Sequence, residues 1–265
     1  MSSAPVTYPA KKLLLNLVKE AEGPMPSATL VRLAEIFGIE ANNVRVSLNR
    51  LVSEELLVVS ERGVYDLGPA ARKLADLQDR WRLLEDELTV WDGRWLALYV
   101  AHLGRRDRKQ LRQRERATEL WGFRSFEQGL LVRPANLAIS PDDLLENLCQ
   151  LGLEDNAVLI YPAGFVGERV PDASLWPVDE LTQAYRTLTE QMSVWLEDYP
   201  ENSLEDAARE CFLIGDRVLR AIAFDPRLPD SMVDTEARRT MVETMMLFDD
   251  VGNAIWSELI GQLEA

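Results

Sequence analysis

Along the first seventy residues, apolar positions recur at spacings of three and four and then give way to short β-prone runs. The predicted elements follow from that change of period. Leu13, Leu14, Leu17 and Val18 share one side of a helix over residues 11–20, and Gly23-Pro24-Met25-Pro26 breaks it. Leu30, Leu33, Ala34 and Phe37 mark a second helix, with Ser27 as its N-cap and Gly38 as its stop. A third, capped by Asn42 or Asn43, runs to Glu54 or Glu55. Leu56–Ser60 and Val64–Leu67 flank the turn Glu61-Arg62-Gly63 and predict a hairpin. Three helices and a terminal hairpin predict a winged helix over residues 1–70.

Beyond it, Pro69 to about Asp92 predicts a linking helix, set at 71–90. The apolar run Leu96–Val100 predicts a buried strand. A basic helix over 105–116 follows, then strand and turn material at Phe123, Gly129–Val132 and Pro134. A helix from Pro141 to Leu151, started by Ser140, and a strand over Ala157–Tyr161 complete the series. Strand, helix, strand, helix, strand predicts a small α+β domain of ferredoxin-like type over 91–175. From Asp179 the period is helical to the end, interrupted at Tyr199-Pro200 and at Phe224–Pro229, so 176–265 reads as a helical domain. Its stripes, such as Leu181, Tyr185, Leu188 and Met192, read as core and as possible dimer contacts.

Charge changes the picture. The 265 residues carry a formal net charge of −15, but unevenly. Residues 1–80 hold 10 Lys/Arg against 10 Asp/Glu, residues 81–135 hold 11 against 8, and residues 136–265 hold 8 against 26. The acidic half would repel nucleic acid and is expected to face away from it. On the third helix, Val44, Leu48, Leu51 and Val52 point to one side. Asn42, Val46, Asn49 and Ser53 point to the other, flanked by Arg45 and Arg50. Asparagines between arginines suit base edges and phosphates in the DNA major groove. A solvated face, or a protein-interaction module, remains the alternative. The basic helix likewise reads either as a phosphate-binding surface or as a solvated face balancing the acidic half.

Composition narrows the chemistry. Cys149 and Cys211 cannot make a disulfide framework or a Cys-rich zinc site. A single His102 excludes metal sites that need two histidines. No apolar run is long enough to span a bilayer, and Met1–Ala10 lacks a secretory pattern, so the expectation is a cytoplasmic protein with no membrane partner. A metal-dependent nuclease would want a carboxylate at the end of the first strand, and Leu96–Leu103 has none, so no catalytic or metal-binding residue is expected.

Four stretches, in this order, resemble the PaaX-like family of transcriptional regulators, the repressors of phenylacetic-acid catabolism. They are Val44–Leu51, Trp91-Asp92-Gly93-Arg94-Trp95, Gly122-Phe123 with Gly129–Pro134, and Phe224-Asp225-Pro226-Arg227-Leu228-Pro229. The resemblance implies a GntR-like winged helix, a Cas2-like middle domain and a helical C-terminal domain. It further implies a homodimeric repressor that binds a double-stranded operator and is released by an aryl-CoA thioester such as phenylacetyl-CoA, with no resident cofactor. The candidate DNA-facing residues are Asn42, Asn43, Arg45, Val46, Asn49 and Arg50, with Arg62 as the single basic residue of a short wing turn. Arg105, Arg106 and Arg112 are candidates for the effector's phosphates.

Overall fold

The computed structural model describes residues 8–21, 23–69, 71–72, 80–83 and 87–264. It shows an α+β protein with N-terminal helices and a small sheet, a central antiparallel sheet and a C-terminal helical region. Its contacts group into two compact units: residues 1–80, 194–215 and 247–265 form the first, and residues 81–193 and 216–246 the second. The C-terminal helices are thus divided between them.

In the first unit, α1 (Ala10–Glu20) buries Leu13, Leu14, Leu17 and Val18, the predicted stripe. The strand β1 (Met25–Pro26) follows, formed by the residues read as a break. It pairs antiparallel with β3 (Val64–Leu67), and β3 pairs with β2 (Leu57–Glu61), giving the order β1-β3-β2. This strand displaces the predicted cap of α2 (Ser27–Glu35): Pro26 occupies the N-cap position and Ser27 is already helical. The Ser27 backbone N–H donates to the Gly63 carbonyl at 2.8 Å instead. Gly38 ends this helix region in the left-handed conformation (φ 70°), as its lack of a Cβ permits. The third helix, α3 (Ala41–Ser53), starts earlier than predicted, with Glu40 at the N-cap and no side-chain cap bond, so Asn42 and Asn43 lie inside its first turn.

Four other elements of this unit come from the C-terminal half. They are the end of α6 (Val178–Asp198), a 3₁₀ turn (Tyr199–Glu201), the start of α7 (Leu204–Ala223) and the end of α8 (Thr235–Glu264). Phe212 of α7 is central to the packing here. Its ring lies 5.3 Å from Tyr8, 5.2 Å from Phe37 and 6.1 Å from Trp256, mostly edge to face.

In the second unit the order is β4 (Trp95–Tyr99), α4 (Arg108–Leu120), β5 (Arg124–Glu127), β6 (Leu130–Pro134), α5 (Pro141–Gln150) and β7 (Val158–Ala163). The sheet order is β5-β6-β4-β7, antiparallel throughout. The single stretch of strand material predicted around 123–134 is therefore a hairpin. Gly129 at its turn has φ 75°, and a Cβ there would lie 2.4 Å from the Ala101 side chain. Leu96, Leu98, Val100, Ala117, Phe123, Leu144 and Leu148 form the core between sheet and helices. Ser140 caps α5 as predicted, accepting from the Asp143 N–H at 3.1 Å. The basic helix begins at Arg108 with Asp107 as its cap, so Arg105 and Arg106 precede it rather than belong to it. Of the linking helix predicted over 71–90, residues 73–79 and 84–86 lie outside the described residues. Arg80–Leu83 form a 3₁₀ turn, and Leu88 pairs with Leu137 in an antiparallel bridge, so no helix runs on to Asp92.

Candidate nucleic-acid interface

The α3 helix buries Val44, Ser47, Leu48 and Leu51. That leaves Asn42, Asn43, Arg45, Val46, Asn49, Arg50 and Ser53 exposed. The cause is the spacing itself, because at about 100° per residue the buried set falls within one arc of roughly 100° and the rest of the circumference is left outward. Asn42, Val46 and Asn49 form the ridge farthest from the core, and Val46 is 41% exposed. Among the described residues neither Arg45 nor Arg50 makes an ion pair. Asn43 lies nearer the core, and its Oδ1 accepts from the buried Ser47 hydroxyl at 3.4 Å. Ser53 bonds back to the Arg50 carbonyl at 2.8 Å and so extends no free hydroxyl proton outward. Arg62 is exposed in the β2–β3 turn, beside Gly63 at φ 78°.

The three arginines proposed from sequence for an anionic ligand are also exposed: Arg105 and Arg106 before α4, and Arg112 on it. The Asp107 carboxylate between them is held below its usual range by the Gln110 and Lys109 backbone N–H groups, with Lys109 and Arg112 adding positive charge. One basic residue of this stretch points elsewhere. Arg114 is buried, pairs with Glu154 and donates to the Gly104 carbonyl at 2.8 Å. Leu111, Arg114, Ala117 and Thr118 share a helical face, a spacing that marks Arg114 as inward-facing. His102 donates from Nε2 to the Asn156 carbonyl at 2.7 Å and stacks on Tyr99, which gives it a structural role.

A buried polar cluster in the second unit joins residues that periodicity does not select. Arg133 is fully buried; it donates to the Trp121 carbonyl, to Asn136 Oδ1 at 3.1 Å and to the Pro134 carbonyl at 3.1 Å. Burial first, and the charge of Arg227 second, push its guanidinium pKa down to about 9, with Asp225 opposing them. Asn136 donates to the Arg227 carbonyl at 2.8 Å. Asp225 accepts from Tyr185 Oη and from the Arg227 N–H, and lies 3.8 Å from Arg238. Gly122 closes the cluster: a Cβ there would lie 2.5 Å from the Pro226 carbonyl oxygen. Trp176 Nε1 donates to the Gly122 carbonyl at 3.0 Å, and its ring stacks 6.1 Å from Trp95. The strings Trp91–Trp95, Gly122-Phe123, Gly129–Pro134 and Phe224–Pro229 thus meet in one place. Spacing marked Gly129–Pro134 as strand and turn material and Phe224–Pro229 as a helix break, but gave no sign that the strings meet.

Among the described residues no helix is long and apolar enough to cross a membrane. Two family profiles match the chain: one described as PaaX-like protein, over residues 12–71, and one described as PaaX-like protein C-terminal domain, over residues 176–258. A comparison with curated proteins found no match. Among solved structures, the uncharacterized protein Rv0674 from Mycobacterium tuberculosis is similar in fold, with a TM-score of 0.58 at 19% identity over 93% of this chain and 98% of that one.

Proposed function

The chain belongs to the PaaX-like protein family, whose members are generally transcriptional regulators and typically not enzymes, and from that premise we propose that it is a sequence-specific DNA-binding repressor acting as a homodimer. In this reading α1–α3 and the sheet β1-β3-β2 are a winged helix-turn-helix, with α3 as the recognition helix. The β4-α4-β5-β6-α5-β7 series is a ferredoxin-like, Cas2-like domain. The observation that carries the reading is the ridge of Asn42, Arg45, Val46, Asn49 and Arg50, exposed on a helix whose opposite face is packed. Such a helix is about 10–12 Å across, matching a major groove of about 12 Å. The amides supply paired donors and acceptors for base edges, and the guanidiniums meet phosphates or guanine.

The dimer would offer two α3 helices to half-sites about one helical turn apart, roughly 34 Å. An aryl-CoA thioester such as phenylacetyl-CoA, its phosphates held by Arg105, Arg106 and Arg112, would favour a dimer that does not fit this spacing. It would weaken DNA binding only by its difference in affinity for the two states. The controlled genes would be an aromatic-acid catabolic operon. The test is a mobility-shift titration of the full chain on the promoter region adjoining its own gene. Affinity should fall steeply between about 50 and 200 mM salt as released counterions compete. Phenylacetyl-CoA should release the duplex. No retardation at low salt, as expected of a protein-interaction module, would refute the reading. An effector response unchanged after neutralising the three arginines would remove them from the ligand site.

A further inference from the structure

The ridge of α3 carries one residue that no hydrogen-bond argument explains. Val46 is apolar, β-branched and 41% exposed, yet it sits between two amides rather than against the core. Asn42 and Asn49 are its neighbours, four residues before and three after, on the same face. At about 1.5 Å rise per residue, Asn42 and Asn49 are about 10 Å apart along the axis, or roughly three base-pair steps of 3.4 Å. Val46 therefore falls over the middle of the stretch that the two amides span.

The three asparagines are not equivalent. An amide reads adenine with both of its ends, donating to N7 and accepting from the N6 amino group. In Asn43 the oxygen already accepts from Ser47 Oγ, leaving its amino end outward. Asn42 and Asn49 keep both ends available and lie on the outermost line of the helix. In the major groove, the apolar feature that separates one base pair from another is the thymine C5-methyl group. Adenine-reading amides on either side of an exposed isopropyl group match a run of A·T pairs with a thymine methyl at its centre.

Building on the DNA-binding reading above, we propose that Val46 reads a thymine methyl at the centre of an A·T-rich half-site bracketed by Asn42 and Asn49. The experiment uses the full chain. Its preferred duplex is first selected from a randomised pool, and each thymine of the selected half-site is then replaced singly by deoxyuridine, which lacks only the methyl group. At one central thymine the replacement should weaken wild-type binding about fourfold, the change that burying one methyl-sized group produces. Val46→Ala, which alters an exposed side chain, should bind the thymine duplex about as weakly as wild type binds the deoxyuridine duplex. It should lose nothing further on the replacement. A selected half-site without central A·T pairs, or equal deoxyuridine effects in both proteins, would overturn the inference while leaving DNA binding intact. Failure to select any duplex would overturn the DNA-binding reading itself, and this inference with it.

Discussion

Asp225→Asn strikes the buried polar cluster of the second unit. The carboxylate is buried, lies 3.8 Å from the buried Arg238 and opposes the downward shift of the buried Arg133. Asparagine preserves volume and one accepting oxygen, so the Tyr185 hydroxyl or the Arg227 N–H keeps a partner. What disappears is the negative charge facing two guanidiniums that are almost wholly removed from water. Removing one member of a buried ion pair costs about 3–5 kcal/mol, because the remaining charge loses the opposite charge that offset its burial. For a chain of this size that corresponds to a melting temperature lower by roughly 10 °C. Asp225→Ala should cost more, since it also removes the oxygens that accept from Tyr185 Oη and the Arg227 N–H and leaves a cavity in their place. Thermal and urea unfolding at neutral pH, with circular dichroism confirming that the variants fold, measure the difference. An Asp225→Asn protein within about 1 kcal/mol of wild type would refute the reasoning and show that Arg238 and Arg133 are neutralised elsewhere.

Three further outcomes follow from other sites. Gly122→Ala should destabilise by about 2–4 kcal/mol in urea unfolding, because Gly122 has φ 72° and the added Cβ would meet the Pro226 carbonyl. Glu154→Gln should cost stability at pH 7, because the Arg114 hydrogen bond holds the Glu154 pKa below its ordinary value of 4.5. A depressed carboxylate pKa stabilises above the unfolded value, so the gap between wild type and variant should close as pH falls below 4.5 through the lowered value; a gap constant down to pH 2 would contradict it. Cys211, its thiol pushed up to about 12 by burial and then by Asp249, should resist a disulfide reagent at pH 8 until the protein unfolds.

Much of this architecture was legible because apolar spacing records which side of an element faces the core. The stripe of α1 follows directly from it, as does the buried side of α3 at Val44, Leu48 and Leu51, whereas Val52 is only half-buried and Ser47 is buried instead. Helix starts were less legible. Asn42 and Asn43 are good capping residues, but the chain turns at Glu40, where no side-chain bond marks the start. The strand β5 is Arg-Ser-Phe-Glu, half-buried and polar, so it shows no apolar run. The strand β1 is two residues long and contains proline, which reads as a break. The buried cluster of Arg133, Asn136, Asp225 and Arg238 was illegible for a deeper reason. A polar residue is assigned to the surface by its chemistry, and only contacts distant in sequence reveal its partner. The exposed ridge of α3 was legible to the residue, because angle around one helix requires no knowledge of distant partners.

The central claim is that this ridge seats against duplex bases, and paired affinity measurements on Arg45→Ala and Asn49→Ala test it most directly. On the selected duplex, each variant should lose about 1–3 kcal/mol, with Asn49→Ala also relaxing base preference at one position. If Arg45 contacts a phosphate, its loss should instead weaken all sequences alike and reduce the salt dependence by about one counterion. Two correctly folded variants that bind every duplex with wild-type affinity and selectivity would contradict the account.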